Sequence, residues 1–273
     1  MKTNKEKEQP TKQEKQPETF NIIPGPSEMA EKDEVLAKAY NDLLFFGRAF
    51  LPNDFLNKSA SPPCHYEISN RLISTKPGER LCIILPRGFG KSILSKTAIL
   101  HKLCFSGTDK QNFIAWVSEE QGQSIDHLKF LRYHLEMNKM IKYYFGNMDG
   151  GTVGKRWTEK DLVTPKGDRI IAKGTSQRLR GRAEVDVRYT GIILDDFESE
   201  LNTKTPERRN EIKRWVVSTI YPALEESPGR EGWIWLAGTI VHFDSFLQMT
   251  YDGYKQAKKD ARFYPWDVYF HSA

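Results

Sequence analysis

The stretch of sequence that decides the fold is Leu81-Cys82-Ile83-Ile84-Leu85-Pro86-Arg87-Gly88-Phe89-Gly90-Lys91-Ser92. It opens with a continuous apolar run over 81–85, which has the length of a strand buried on both faces. A turn containing two glycines follows, and apolar residues then recur at helical spacing from Ser92 to Phe105. The stretch therefore predicts a strand, a glycine-containing loop and a helix, in that order.

Strands alternate with helices along the rest of the chain. Apolar runs predict further strands at 112–117, 191–194 and 233–237, and a short β-ribbon at 162–164 and 169–172. Helical periodicity predicts helices at 34–51, 64–72, 125–145, 206–224 and 243–251. Because such alternation implies βαβ crossovers, the sequence predicts an α/β fold with a mostly parallel sheet flanked by helices.

The loop between the first strand and its helix has the residues of a phosphate-binding loop. Backbone N–H groups and a helix N-terminus converge on phosphate oxygens at such a place. Gly88 and Gly90 would let the backbone approach the anion, Lys91 would reach the β- and γ-phosphates, and Ser92 would ligate Mg²⁺. The standard pattern GxxxxGK[ST] has a glycine where this chain has Leu85. The sequence thus predicts a deviant phosphate loop.

Arg87 within this loop has two interpretations. It is either a surface arginine before a turn or a second cation directed at the γ-phosphate. We favour the second, because the loop is predicted to bind phosphate.

Two acids follow the predicted strand at 191–194. Ligands bind beyond the carboxyl ends of parallel strands, so Asp195 and Asp196 are predicted to face the phosphate loop. Asp195 suits the Walker B role of holding Mg²⁺. A nearby carboxylate should polarise the attacking water; Asp196 is the first candidate and Glu198 the alternative. A purely structural interpretation, in which the acids cap a following helix, stays open.

The charge of the chain is concentrated in one segment. The chain has 41 Lys and Arg against 36 Asp and Glu, a net charge of +5. Residues 155–188 hold five acids and ten basic residues, so this segment alone carries the excess. Such a segment indicates a polyanionic partner, either nucleic acid or nucleotide phosphate, although a solvated charged surface has the same composition. The ten are Lys155, Arg156, Lys160, Lys166, Arg169, Lys173, Arg178, Arg180, Arg182 and Arg188.

Composition also divides the chain. Residues 1–19 are almost entirely polar, which predicts a disordered arm. We expect a helical lead-in at 20–75, a P-loop core at 76–255, and a linker or the start of a lid at 256–273. Apolar runs are too short for a transmembrane helix, and no apolar segment follows the basic N-terminus as in a secretory signal. A cytosolic protein is the expectation.

Taken together, these motifs resemble those of phage large terminase subunits. Segment 86–92 resembles the family's deviant Walker A motif, which carries an arginine ahead of GK[ST]. Segment 173–182 resembles the Arg-Gly segment that precedes Walker B. Gly238-Thr239 resembles the coupling motif, a strand end that senses the γ-phosphate, and the segment containing His65-Tyr66 resembles the adenine-side helix.

The resemblance implies an ASCE, RecA-like P-loop ATPase that assembles as a ring at the portal protein and drives double-stranded DNA into an empty capsid. It implies ATP and Mg²⁺ as ligands, a small terminase subunit as a partner, and the host cytoplasm as the location. In this sequence it places coupling at Gly238 and Thr239, metal binding at Ser92 and Asp195, and ATP binding at Arg87, Gly88, Phe89, Gly90, Lys91, Ser92, His65 and Tyr66. Arg180 or Arg182 would serve as an arginine finger in trans, or would contact DNA phosphates.

Two features depart from the family pattern. The family usually has Asp-Glu at Walker B, whereas this chain has Asp195-Asp196. Family members also carry a C-terminal nuclease domain, for which the residues up to Ala273 leave no room, so nuclease activity is not expected of this chain. The alternative functions are a helicase-like DNA translocase, a nucleotide-binding DNA or portal adaptor, and a kinase.

Overall fold

The computed structural model describes residues 26–54, 61–179 and 188–272 of the chain. The expected disordered arm at 1–19 lies outside these residues, and so do Arg180 and Arg182. Across the described ranges, none of the helices combines the length and the apolar character that a membrane span requires.

The described residues form nine α-helices and eight strands. A π-helical turn, Val216–Ile220, joins the seventh and eighth helices, and a 3₁₀ turn covers Gly151–Val153. The helices are α1 (Pro26–Asn41), α2 (Leu43–Phe50), α3 (Pro63–Ile73), α4 (Lys91–Cys104), α5 (Gln121–Met137), α6 (Lys139–Phe145), α7 (Pro206–Trp215), α8 (Tyr221–Ala223) and α9 (Phe246–Lys259). The strands are β1 (Arg80–Ile84), β2 (Phe113–Ser118), β3 (Trp157–Thr158), β4 (Asp161–Val163), β5 (Arg169–Gly174), β6 (Gly191–Asp195), β7 (Trp233–Gly238) and β8 (Asp267–Phe270).

The eight strands form one sheet in the order β3-β4-β5-β2-β6-β7-β1-β8. The six strands from β5 to β8 pair in parallel, and only the β3–β4 and β4–β5 pairs are antiparallel. The predicted α/β fold with a mostly parallel sheet flanked by helices is therefore confirmed.

The C-terminal segment differs from the expectation. Residues 256–273 were expected to be a linker or the start of a lid, but α9 continues to Lys259 and β8 then pairs with β1 at the edge of the sheet. Val268, within the short segment Asp267–Phe270, is the residue of β8 that is buried in the core. One buried apolar residue is too weak a periodic signal to predict a strand from sequence.

Helices cover both faces of the sheet because successive side chains of a strand point to opposite faces. On β7, Trp233 and Trp235 pack into the core beneath α1 to α6, whereas Ile234 and Leu236 pack into the core beneath α7 to α9. This double covering explains why the central strands contain continuous apolar runs.

Two predicted helices are each divided into two by a capping residue. The helix expected at 34–51 is broken at Asp42, whose carboxylate accepts a hydrogen bond of 2.9 Å from the backbone N–H of Phe45. The helix expected at 125–145 is broken at Asn138, whose side-chain oxygen accepts from the N–H groups of Met140 and Ile141. Apolar periodicity continues across both breaks. The breaks therefore result from the local preference of Asp and Asn for the N-cap position.

Position 191 of β6 requires glycine because the indole ring of Trp233, on the neighbouring strand β7, lies against it. A Cβ at position 191 would lie 2.2 Å from Cζ2 of Trp233. That ring is buried and lies against the ring of Trp235, with 4.5 Å between centroids, so it has little room to move. We expect Gly191→Ala to lower the free energy of unfolding by about 1–3 kcal/mol, measured by urea denaturation.

Gly122→Ala is the matched control for this prediction. Gly122 lies in α5, and a Cβ there meets no heavy atom of the described residues within 4 Å beyond its own helix and chain neighbours. Alanine should raise stability there by up to about 1 kcal/mol, because it is the better helix former. Equal losses in both variants would contradict the packing explanation.

Candidate functional site

The candidate site lies at the carboxyl ends of β1, β7 and β6, where the sequence placed it. In the sheet register, Ile84 of β1 is opposite Gly238, and Asp195 of β6 is opposite Ala237. The single intervening strand places the ends of β1 and β6 about 10 Å apart, at about 4.8 Å per strand spacing. This is the crevice at which parallel α/β sheets bind ligands.

The loop from β1 to α4 presents its backbone at the start of a helix. Gly88 and Gly90 have φ values of +80° and +72°, in the left-handed region that favours glycine. Gly90 is the N-cap of α4, and it has no side chain with which to accept from the first N–H groups of the helix. The N-terminus of a 14-residue helix thus offers N–H donors and a positive dipole end to an anion.

Lys91 is only 6% exposed and is held by three oxygen atoms. Its Nζ donates to the carbonyl oxygens of Leu85 and Pro86, each at 3.2 Å, and to Oγ1 of Thr239 at 2.9 Å. The Thr239 hydroxyl in turn donates to the carbonyl of Leu85. The residue expected to bind phosphate and the residue expected to sense it are therefore in direct contact.

Ser92 and Asp195, the expected metal ligands, are also brought together. The Ser92 hydroxyl lies 3.4 Å from Oδ1 of Asp195, whose side chain is 1% exposed. Burial, and secondly the neighbouring Asp196, raise the pKa of Asp195 to about 7. Among the described residues, Oδ2 of Asp195 has no hydrogen-bond partner. A buried carboxylate of this kind is stabilised by a cation.

His127 is a site residue that the sequence analysis missed. Its Nε2 lies 3.2 Å from Oδ2 of Asp195, although the angle is not that of a hydrogen bond. Its ring lies over the indole of Trp116, with 4.9 Å between centroids. Burial, and secondly the charge of Lys96, lower the pKa of His127 to about 4, so the imidazole is neutral. A single histidine within a helical pattern carries no sequence signal for such a role.

The two candidates for the water-activating acid occupy different environments. Asp196 is exposed, and its φ of +43° is a left-handed conformation that Asp tolerates better than most residues. Such backbone strain is concentrated at functional sites. Glu198 is 5% exposed, and its two carboxylate oxygens accept from the N–H groups of Phe246 and Leu247 at the start of α9. Glu198 therefore caps α9, a role that the sequence analysis considered only for Asp195 and Asp196, and Asp196 is the carboxylate that remains exposed.

The remaining expected site residues line the loop. His65 of α3 lies with its Nε2 2.9 Å from the carbonyl oxygen of Phe89, so the helix expected on the adenine side contacts the loop expected to bind phosphate. The neighbouring Tyr66 is exposed, as is Phe89. Arg87 is 74% exposed and has a long contact of 3.9 Å with Glu200, which leaves its guanidinium accessible to a ligand.

These residues fit a Mg²⁺ ion bound together with nucleotide phosphates. Mg²⁺ is usually held by one or two carboxylates, with waters and phosphate oxygens completing its shell. Asp195, whose Oδ2 makes no hydrogen bond among the described residues, and the Ser92 hydroxyl supply the oxygen ligands expected of the protein. Within the described ranges, no group of three or more His, Cys, Asp and Glu side chains is placed to hold a metal, and a phosphate-dependent site does not require one.

We expect His127 to position Asp195 as a metal ligand. His127→Ala should raise the Mg²⁺ concentration for half-maximal nucleotide binding by about tenfold. This is the low end of the range for hydrogen-bonded partners of a metal ligand, because His127 contacts Asp195 without a hydrogen bond. Binding of a fluorescent ATP analogue during a Mg²⁺ titration measures this effect.

The matched control is His134→Ala. His134 is a second buried histidine of α5, but its Nε2 contacts Asp54 at 3.2 Å instead of Asp195. It should lose stability while keeping the Mg²⁺ dependence of the unaltered chain. If both variants shift the Mg²⁺ titration equally, a specific role of His127 is wrong.

Comparison with known proteins adds no family to this geometry. The sequence matches no protein-family model, and it matches no curated protein. The functional conclusion therefore depends on the site itself.

Proposed function

We propose that the chain is the ATPase motor of a viral large terminase, coupling ATP hydrolysis to movement of double-stranded DNA into a procapsid. Two hydrogen bonds at one edge of the mostly parallel sheet support this best. One joins Lys91 to Thr239, and the other joins Ser92 to Asp195. The residues proposed to bind phosphate, to sense it and to hold the metal thus lie at neighbouring strand ends, with the exposed Asp196 beside them.

The sheet order supports an ASCE, RecA-like P-loop fold as part of this proposal. Such a fold has an additional strand between the strand of the phosphate loop and that of Walker B. Strand β7 has this place between β1 and β6, and Thr239 follows its carboxyl end. The additional strand is therefore also the one that brings the coupling residue to Lys91.

In the proposed reaction, ATP reacts with water to give ADP and phosphate. The N–H groups at the start of α4 and the ammonium of Lys91 bind the β- and γ-phosphates. Mg²⁺, held by Ser92 and Asp195, would supply positive charge against the phosphate oxygens. The carboxylate of Asp196 accepts the proton of the water as its oxygen bonds to the γ-phosphorus and the bond from that phosphorus to the β,γ-bridging oxygen breaks. Arg87 offers a further cation to the γ-phosphate.

The contact between Lys91 and Thr239 supports a means of coupling. When Lys91 turns to phosphate, Thr239 loses the hydrogen bond that it accepts, at the end of β7. The next residues of the chain lead to Asp244, which accepts from Arg209 and Lys213 of α7. The state of the nucleotide is in this way connected to helices outside the site.

The partners and location remain part of the proposal. Duplex DNA is supported by the basic segment 155–188, whereas the portal protein, the small terminase subunit, the homo-oligomeric ring and the host cytoplasm come from the resemblance alone. Arg180 and Arg182 lie outside the described residues, so their proposed role in trans or on DNA depends on the sequence.

Steady-state ATP turnover, measured with and without duplex DNA, tests the proposal. A motor should hydrolyse ATP faster with duplex and should displace a third strand from a triplex without separating the duplex. A helicase-like translocase would separate the two strands. An adaptor would bind DNA without turnover, and a kinase would transfer phosphate to an acceptor other than water.

A further inference from the structure

The basic segment divides into residues that hold the fold together and residues that face a groove. Lys166 donates from Nζ to the carbonyl oxygens of Cys104 and Ser106, and Arg188 donates to main-chain carbonyls of the segment before β7. These two cations are used within the protein. The positions of the cations in space therefore indicate a binding surface better than the charge excess of the segment does.

Four other cations line one concave surface, which we call the basic groove. It is a cavity of about 370 Å³ on β3, β4 and β5, and its basic residues are Arg156, Lys160, Arg169 and Lys173. The acid in its lining is Asp161, to which Arg156 and Arg169 donate at 2.8 Å. This pairing fixes both guanidinium groups in place and still leaves a local excess of three positive charges.

The spacing of these cations suits a linear polyanion. Arg169 and Lys173 are four residues apart on β5, so they lie on the same face and about 13 Å apart at 3.3 Å per residue. That distance is the axial length of about four phosphates of one DNA strand at 3.4 Å each. Lys160 lies alongside β5, because its carbonyl oxygen accepts from the N–H of Ala172.

One end of the basic groove is connected to the nucleotide site. Lys173 is two residues before Thr175, whose Oγ1 lies 3.0 Å from the carbonyl oxygen of Ser118 and 3.2 Å from that of Phe197. Phe197 directly follows Asp196, the acid proposed to activate water. The segment that contains Lys173 is therefore joined by a hydrogen bond to the segment that contains the proposed catalytic carboxylate.

We propose that the basic groove binds the phosphate backbone of duplex DNA. The choice of duplex DNA over another polyanion rests on the proposed function, whereas the positive charge, the concave shape and the fixed guanidinium groups come from the groove itself. Contacts of this kind are independent of base sequence and position the protein along the duplex.

The test is equilibrium binding of a fluorescent duplex of about 20 base pairs, without nucleotide, at about 50 to 200 mM salt. The variant Lys160→Gln/Lys173→Gln removes two cations that play no part in the proposed ATPase chemistry. We expect the affinity for duplex to fall by roughly tenfold or more. The slope of the logarithm of the binding constant against the logarithm of the salt concentration should be smaller by about 1.8, for two lost phosphate contacts.

The control is Lys258→Gln/Lys259→Gln, which makes the same charge change at exposed lysines in the last turn of α9. It should bind duplex like the unaltered chain. Equal loss in both variants would mean that only net charge matters and would overturn the proposal, as would an unchanged salt slope in the groove variant. Displacement of the duplex by inorganic phosphate at about the same concentration as the duplex would indicate a site for a small anion. That result would also overturn the proposal.

Basal ATP turnover without DNA separates this proposal from the proposed function. The groove variant should hydrolyse ATP at the basal rate of the unaltered chain and lose its stimulation by duplex. If the chain binds duplex through the basic groove but shows no turnover, the motor function is contradicted and duplex binding by the groove is supported. If duplex also stimulates the turnover of the groove variant, duplex binding by the groove is contradicted and the motor function is supported.

Discussion

Lys91→Ala is expected to abolish ATP hydrolysis, lowering the turnover rate by at least about 10²–10³-fold while the fold is kept. The variant removes the cation proposed to bind the β- and γ-phosphates. It also leaves the carbonyl oxygens of Leu85 and Pro86 without a charged donor, which should cost about 1–2 kcal/mol of stability. Turnover is measured by phosphate release, and folding by circular dichroism and thermal unfolding.

Lys110→Ala is the control, because Lys110 is an exposed lysine between α4 and β2. Its turnover should equal that of the unaltered chain. Hydrolysis by the Lys91 variant within a few-fold of the unaltered chain would show that the loop is not a phosphate loop. Lys91→Arg adds a further comparison, since the arginine keeps the charge but lacks the compact ammonium that fits the three oxygens.

Asp196→Asn is expected to keep ATP binding and to reduce turnover by about 10²–10⁴-fold, the range that general-base catalysis contributes. Asparagine tolerates the left-handed backbone of this position at least as well as aspartate does, so the fold should not change. The comparison of ATP affinity with turnover isolates the loss of the base. Affinity is measured with a fluorescent ATP analogue.

Glu198→Gln should have the opposite effects. Its amide can accept from only one of the two N–H groups at Phe246 and Leu247, and α9 loses a negative charge at its N-terminus. We expect a loss of about 1–3 kcal/mol in the free energy of unfolding and turnover within a few-fold per folded molecule. A stable but inactive Glu198 variant, together with an active Asp196 variant, would reverse the assignment.

Much of the fold could be predicted from sequence, because its strong elements have strong local signals. The continuous apolar runs of β1, β2, β6 and β7 are buried on both faces and were located to within one or two residues. The N-caps at Asp42 and Asn138 divided two predicted helices, since periodicity does not detect a cap within an amphipathic pattern. Strand β8 was missed because its order depends on pairing with β1, far away along the chain.

The candidate site divides in the same way. The strand, glycine loop and helix that contain Lys91 and Ser92 are contiguous, so the sequence by itself determined that a glycine loop leads from a buried strand into a helix N-terminus there. The acids at 195–198 could be placed at the same edge of the sheet, because the carboxyl ends of parallel strands share an edge.

Only the tertiary structure decided which acid is buried and hydrogen-bonded and which acid is exposed. Asp196 and Glu198 are chemically alike and two residues apart, so no local pattern distinguishes them. Glu198 is buried and accepts from N–H groups 48 and 49 residues later in the chain, whereas Asp196 stays exposed. His127 likewise meets Asp195 only because α5 packs across the sheet. Burial and hydrogen bonding between distant segments set the role of a carboxylate, and these are properties that the chain acquires only when it folds.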